Sequence, residues 1–198
     1  MNLVTGLTPS LGGKIYSIGW DDRIREIEND GNVFPIALLT ASSQPKSVAV
    51  AEGGFVLAVE IDTVEVVRSN QEVYKPKPKY KPSLVAASKT TAAIGGEASD
   101  AKVCLYEWDG KTLNEVVALE ENKSVVSALA FSPDGKLLAS RDSSRRIALF
   151  DVPEKKVHLT SIYLRLIHVL TSPFAHFAAH HLTLVLPLRT HKLAHLDL

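Results

Sequence analysis

Apolar and polar positions alternate in short bursts along most of this chain, and each burst ends in residues that favour turns. The pattern is clearest at residues 124–152, SVVSALAFSPDGKLLASRDSSRRIALFDV. Residues 128–131 form an apolar run of β character. Pro133, Asp134 and Gly135 then supply a fixed φ, a side chain that captures backbone N–H groups and tolerance of positive φ. Residues 137–140 predict a second strand, the polar residues 141–146 a second turn, and residues 147–150, closed by Asp151, a third strand. Such spacing predicts an antiparallel meander.

Weaker copies precede it. Residues 14–19 and 24–27 read as strands around a turn at Trp20, Asp21, Asp22 and Arg23, and Asn29-Asp30-Gly31 signals a turn before an outer strand at 34–39. The order recurs with strands at 46–50, 55–59 and 63–67, and again at 84–87, 92–95 and 102–106, with 113–119 as an outer strand. Between these units lies YKPKPKYKP, residues 74–82, where repeated proline removes ladder donors and favours extended geometry. We read residues 75–81 as a solvated connection. Their lysines, with Tyr74 and Tyr80, also suit an acidic protein surface or stacked nucleic-acid bases.

The first apolar residues of the third strands, Ile24, Val64, Val103 and Ile147, are 40, 39 and 44 residues apart. That period, with the apolar strand, SPDG, LLAS and a closing Phe150-Asp151 where Trp-Asp is usual, resembles the WD40 repeat. The resemblance implies an all-β fold: a partial WD40-like β-propeller of three blades and part of a fourth at 12–157. Residues 1–11 form an N-terminal segment, and 158–198 an irregular or helical tail. It also implies an Asp that ties the turn to neighbouring backbone, three residues before the third strand. Asp21 and Asp100 occupy that place; Ser144 and Ile61, the latter beside Asp62, stand there in the other two blades.

GGKIYSIGWDDRIREI, followed by QPKSVAVAEGG, AAIGGEASDAKVCLYEWDG and VVSALAFSPDGKLLAS, is more specific. Over residues 12–156 the chain resembles the second propeller of the actin-interacting WD-repeat proteins that work with cofilin. The resemblance implies non-catalytic binding to actin filaments and cofilin, filament disassembly, and a cytoplasmic location at the actin cytoskeleton. No partner-contact residue follows from it. The alternative is a generic WD40 scaffold in another complex. A half ring with open edges predicts self-association.

Composition narrows the picture. The 198 residues are 45% hydrophobic and 22% charged, a globular balance, and 22 basic against 22 acidic residues give no global attraction to nucleic acid or anionic membrane. The N-terminal stretch lacks the basic and apolar regions of a secretory signal. Cys104, the lone cysteine, is expected to pack as a small buried hydrophobe. No catalytic, cofactor or metal site is expected. No His precedes His158 to serve as a base, and Asp21 and Asp22 read as turn residues rather than a carboxylate pair. Trp20 and Trp108 are expected to pack within blades.

After Val157 the character changes. All seven histidines (His158, His168, His176, His180, His181, His191 and His195) lie in the last 41 positions, whereas the last glycine is Gly135. Such a tail lacks the turn signals of a further blade and reads as the product of a shifted reading frame or retained intron, with a genuine but unrelated extension as the alternative. His176, His180 and His181 have helical spacing, but no Cys or carboxylate lies close enough to complete a zinc set. Arg165, Pro173, Pro187 and the histidines interrupt the apolar stretch 162–188, which argues against a membrane span.

Overall fold

The computed structural model describes residues 3–10, 13–27, 36–52, 54–68, 71–97, 102–161, 183–187 and 193–197. The sequence readings on Asn29-Asp30-Gly31, Asp100 and the His176, His180, His181 group lie outside them, as does nearly all of the stretch 162–188.

Four antiparallel sheets of four strands follow one another. The first contains β1 (Val4–Pro9), β2 (Ile15–Gly19), β3 (Arg23–Ile27) and β4 (Ile36–Thr40), in that order across the sheet. The second holds β5 (Ser47–Ala51), β6 (Phe55–Val59), β7 (Val64–Arg68) and β8 (Gln71–Tyr74). The third holds β9 (Pro82–Ser88), β10 (Thr91–Gly96), β11 (Val103–Trp108) and β12 (Leu113–Leu119); the fourth holds β13 (Val126–Phe131), β14 (Leu137–Asp142), β15 (Ile147–Asp151) and β16 (Lys156–Ser161). The leading strands β1, β5, β9 and β13 pack side by side, so the sheets radiate as propeller blades. In the tail, β17 (Thr183–Pro187) pairs with β18 (Leu193–Asp197). What is described of the tail is therefore strand rather than helix.

Two readings are extended. Val4–Pro9, left outside the repeats by the sequence, is the inner strand of the first blade, paired with β2 from Val4↔Gly19 to Pro9↔Ile15. Its VTGLTP carries too few apolar residues to declare a strand; pairing supplies what the pattern lacks. The fourth blade is likewise whole, because β16 runs past Val157 to pair Ser161 with Ile147.

Period-two alternation sends successive residues of the middle strands to opposite faces, and in the second and third blades both faces are covered. In β6, Phe55, Leu57 and Val59 face the third blade, where they meet Val85, Ile94, Cys104, Tyr106 and Trp108. Val56 and Ala58 of the same strand face the first blade, against Tyr16, Ile18 and Ile24. Between the third and fourth blades, Ala93, Val103 and Leu105 pack on Val126, Leu138, Ala148 and Phe150. Cys104 is a buried free thiol in the first of these interfaces, as its sequence context predicts, and burial pushes that thiol up.

Two glycines show why the repeat needs them. At Gly95 an added Cβ would lie 2.8 Å from Val126 on the neighbouring inner strand, so the blades converge too closely there for any side chain. In the SPDG turn Gly135 has φ of 74°, a left-handed conformation that costs other residues energy. Around it, the Ser132 hydroxyl donates to Asp134 at 2.6 Å, and the Lys136 and Leu137 N–H groups donate to Asp134 and Ser132 at 3.0 and 2.9 Å.

Phe150 occupies the position of the repeat's usual Trp and is fully buried between the last two blades. Phe150→Ala should therefore lower the unfolding free energy by about 3–5 kcal/mol, through lost transfer energy plus the cavity left behind. Urea denaturation followed by circular dichroism measures it; a loss below about 1 kcal/mol would show that this interface does not hold the blades together.

Candidate protein-binding face

The connections emerge at two ends of the blades. One end carries the turns between first and second strands and between third and fourth. The other carries the second-to-third turns, at residues 20–22, 60–63 and 143–146, and the links between blades, at 41–46, 75–81 and 120–125.

At this second end two buried carboxylates organise the links. Glu60 accepts hydrogen bonds from the Ser42 N–H at 3.0 Å and from the hydroxyls of Ser42, Ser43 and Thr63 at 2.9, 3.2 and 2.8 Å. Lys75 reaches in from the next link to 3.3 Å from Glu60 and 3.9 Å from Glu65. In the fourth blade Asp142 has the same role, accepting from the N–H groups of Lys123 and Arg146 at 3.0 and 2.9 Å and from the Ser144 hydroxyl at 2.7 Å. Each carboxylate thus holds the link that leads into its own blade. Burial acts to raise the Glu60 carboxyl, but hydrogen bonds with Glu65, Thr63 and Ser42 and the charge of Lys75 outweigh it and hold the group at about 2. At Asp142 burial again acts upward, and the Lys123 N–H, the Ser144 hydroxyl and the Arg146 N–H prevail, so its carboxyl lies below the usual range.

These ties differ from those the sequence predicts. Asp21 forms a two-point ion pair with Arg25, one contact being 3.0 Å, and Asp22 turns the chain with φ of 55°. The link ties of Glu60 and Asp142 fall just beyond the pairs Val59↔Val64 and Arg141↔Ile147, on the residue after β6 and on the last residue of β14. Gly19 and Gly96 take that position in the other two blades, following Ile18↔Ile24 and Gly95↔Val103. Counting back from the third strand misses it because the intervening turn varies in length, whereas pairing register does not. The signal that could have found it is the placement of Glu60, an acid directly after the apolar FVLAV.

Among the described residues, the exposed large apolar side chains are Leu3, Val4, Trp20, Ile61 and Val125, and all five lie at this end. Trp20 is 63% exposed, contrary to the expectation that it packs within a blade. It lies one residue past the last paired position of β2, with its N–H bonded to Leu3 O at 3.0 Å, and no neighbouring blade covers it. Trp108 does pack, with its ring centroid 4.6 Å from that of Phe55. This end therefore combines exposed apolar side chains with links braced by buried carboxylates.

Comparison with known proteins bears on this. Over 147 residues the chain is 31% identical to the 66 kDa stress protein of Physarum polycephalum, an alignment covering 74% of this chain and 24% of that one. WD repeat-containing protein 1 of Bos taurus is 32% identical over 146 residues, 72% of this chain and 24% of its own. The homologues of this chain are WD-repeat proteins. Another is actin-interacting protein 1 of Drosophila melanogaster, 27% identical over 158 residues, 78% of this chain and 25% of that one. This WD-repeat chain spans about a quarter of the length of the curated relatives it matches. No family model matches it. A chain from the crystal structure of the mitotic checkpoint complex superposes with a TM-score of 0.69 at 15% identity, over 81% of this chain and 50% of that one, a likeness of fold.

Since the Glu60 carboxyl is held below its ordinary value of 4.5, its contribution to stability is full above that value and is lost as pH falls from there toward about 2. The urea midpoint should drop on acidification through this window, and Glu60→Gln should drop less. Parallel pH profiles for the two proteins would refute the tie.

Proposed function

We propose that this WD-repeat chain is a non-catalytic protein-binding module of the cytoplasm, and that the end bearing Trp20 associates with actin filaments and cofilin. The observation that carries the reading is the gathering of the exposed large apolar side chains on one loop end, with Trp20 foremost. Exposed aromatic anchors on a rigid scaffold are where binding energy concentrates. What directs the reading to actin is the resemblance of GGKIYSIGWDDRIREI and its followers, supported by relatives named actin-interacting protein 1 in Drosophila melanogaster and Caenorhabditis elegans. Assayed by themselves, these 198 residues, which match a quarter of the Drosophila melanogaster relative's length, are expected to make fewer contacts than the longer chain. Binding is then weaker than for linked modules, and filament disassembly is lost before binding is.

In co-sedimentation the purified chain should pellet more with cofilin-decorated filaments than with bare ones. Trp20→Ala should weaken this by about fivefold or more, the cost of removing an interface anchor, while leaving the circular dichroism spectrum unchanged. Equal pelleting with and without cofilin, unaffected by Trp20→Ala, would replace the actin reading with a scaffold for a different complex.

A further inference from the structure

The link between the second and third blades is not a slack tether. Burial alternates along it: Lys77, Lys79 and Lys81 are exposed, Pro76 and Pro78 are half-buried, and Tyr80 and Pro82 are buried. At one end Lys75 is anchored on Glu60 and Glu65. Further along, the Tyr80 hydroxyl donates to Ile94 O at 3.3 Å and lies 3.2 Å from the Tyr106 hydroxyl. The prolines fix φ in between, so the three outward lysines are held in place before anything binds.

No acidic residue is interleaved with these lysines along the chain. Residues 73–96 contain five lysines and no acid. Nearby Glu97 is engaged by Lys46 at 2.9 Å. Beside the lysines opens a cleft of about 190 Å³, walled by Pro76 and Pro78 on one side and by Ile94, Tyr106 and Leu113 on the other, with Lys77 and Lys79 also lining it. Glu115, its one acidic lining residue, accepts from the Tyr106 hydroxyl at 3.4 Å and repels a carboxylate from the cleft itself.

We propose that this link and cleft form a binding site for an acidic peptide segment, whose carboxylates pair with Lys77, Lys79 and Lys81 while an apolar or aromatic side chain between them enters the cleft. The charge demands an anion and the apolar walls demand a hydrophobic side chain, a combination that a peptide supplies in one strand. Nucleic acid fits less well, because neither tyrosine offers a stacking platform: Tyr80 is 5% exposed and Tyr74 packs on the core. The site is separate from the Trp20 surface and does not rest on the actin reading.

The test is fluorescence anisotropy of the full chain with a labelled peptide of one Phe flanked by two Glu on each side, at low salt. Lys77→Glu combined with Lys79→Glu should weaken binding by about tenfold, as expected for two reversed rim charges. Replacing the peptide's Phe by Ala should also weaken it, and Lys155→Glu, at an exposed turn of the fourth blade, should not. Both lysines are exposed, so the double variant should keep its circular dichroism spectrum. Unchanged affinity of the double variant would overturn the proposal. So would a ten-nucleotide single-stranded DNA that binds as tightly through the same lysines, which would make the link a general anion surface.

Discussion

The stacking of this molecule depends on burying both faces of the middle strands that lie between two blades, β6 and β10 above all. A four-stranded sheet covers only its own ladder hydrogen bonds; its two faces need partners. FVLAV of β6 shows the constraint directly, since all five residues are buried and they divide between two separate interfaces. Stability in such an array is a sum of blade terms and interface terms between nearest neighbours. The close contact of Gly95 with Val126 and the burial of Phe150 belong to the same interface, and neither has meaning within a single blade.

Once the blades are stacked, their links must cross a converging end where backbone donors would otherwise be buried without partners. Glu60 and Asp142 answer that need with carboxylates placed at the same register position, each drawing in a backbone N–H of the link before its blade, to which Glu60 adds the Ser42 and Ser43 hydroxyls. A buried charge is tolerable only when its hydrogen-bonding capacity is filled, and here serine and threonine hydroxyls fill much of it. At this register position the four blades alternate glycine and acid, Gly19, Glu60, Gly96 and Asp142, so the side-chain tie belongs to the second and fourth blades.

The bracing separates rigidity from recognition. With links held from beneath, side chains that no blade covers, Trp20 and Ile61 among them, remain at the surface at little entropic cost on binding. Lysines of the link at 75–81 sit at the same end, beside the cleft that Ile94 and Tyr106 line, so this end carries a basic surface as well as an apolar one.

The strands, the SPDG turn and the repeat interval were legible in the residues because they are local: alternation sets which side chains share a face, and Pro133, Asp134 and Gly135 carry their own dihedral and hydrogen-bond preferences. Resemblance of the stretch around Trp20 also pointed to the WD-repeat homologues. Register was not legible, and with it went the position of the ties, since Glu60 and Asp142 are equivalent only through the pairs Val59↔Val64 and Arg141↔Ile147. Nor was exposure. Tyr80 looks like a surface residue of a basic linker and is buried; Trp20 looks like packing and is bare. Burial belongs to the neighbour that tertiary structure brings, and a chain read in one dimension has no neighbours beyond its own turns.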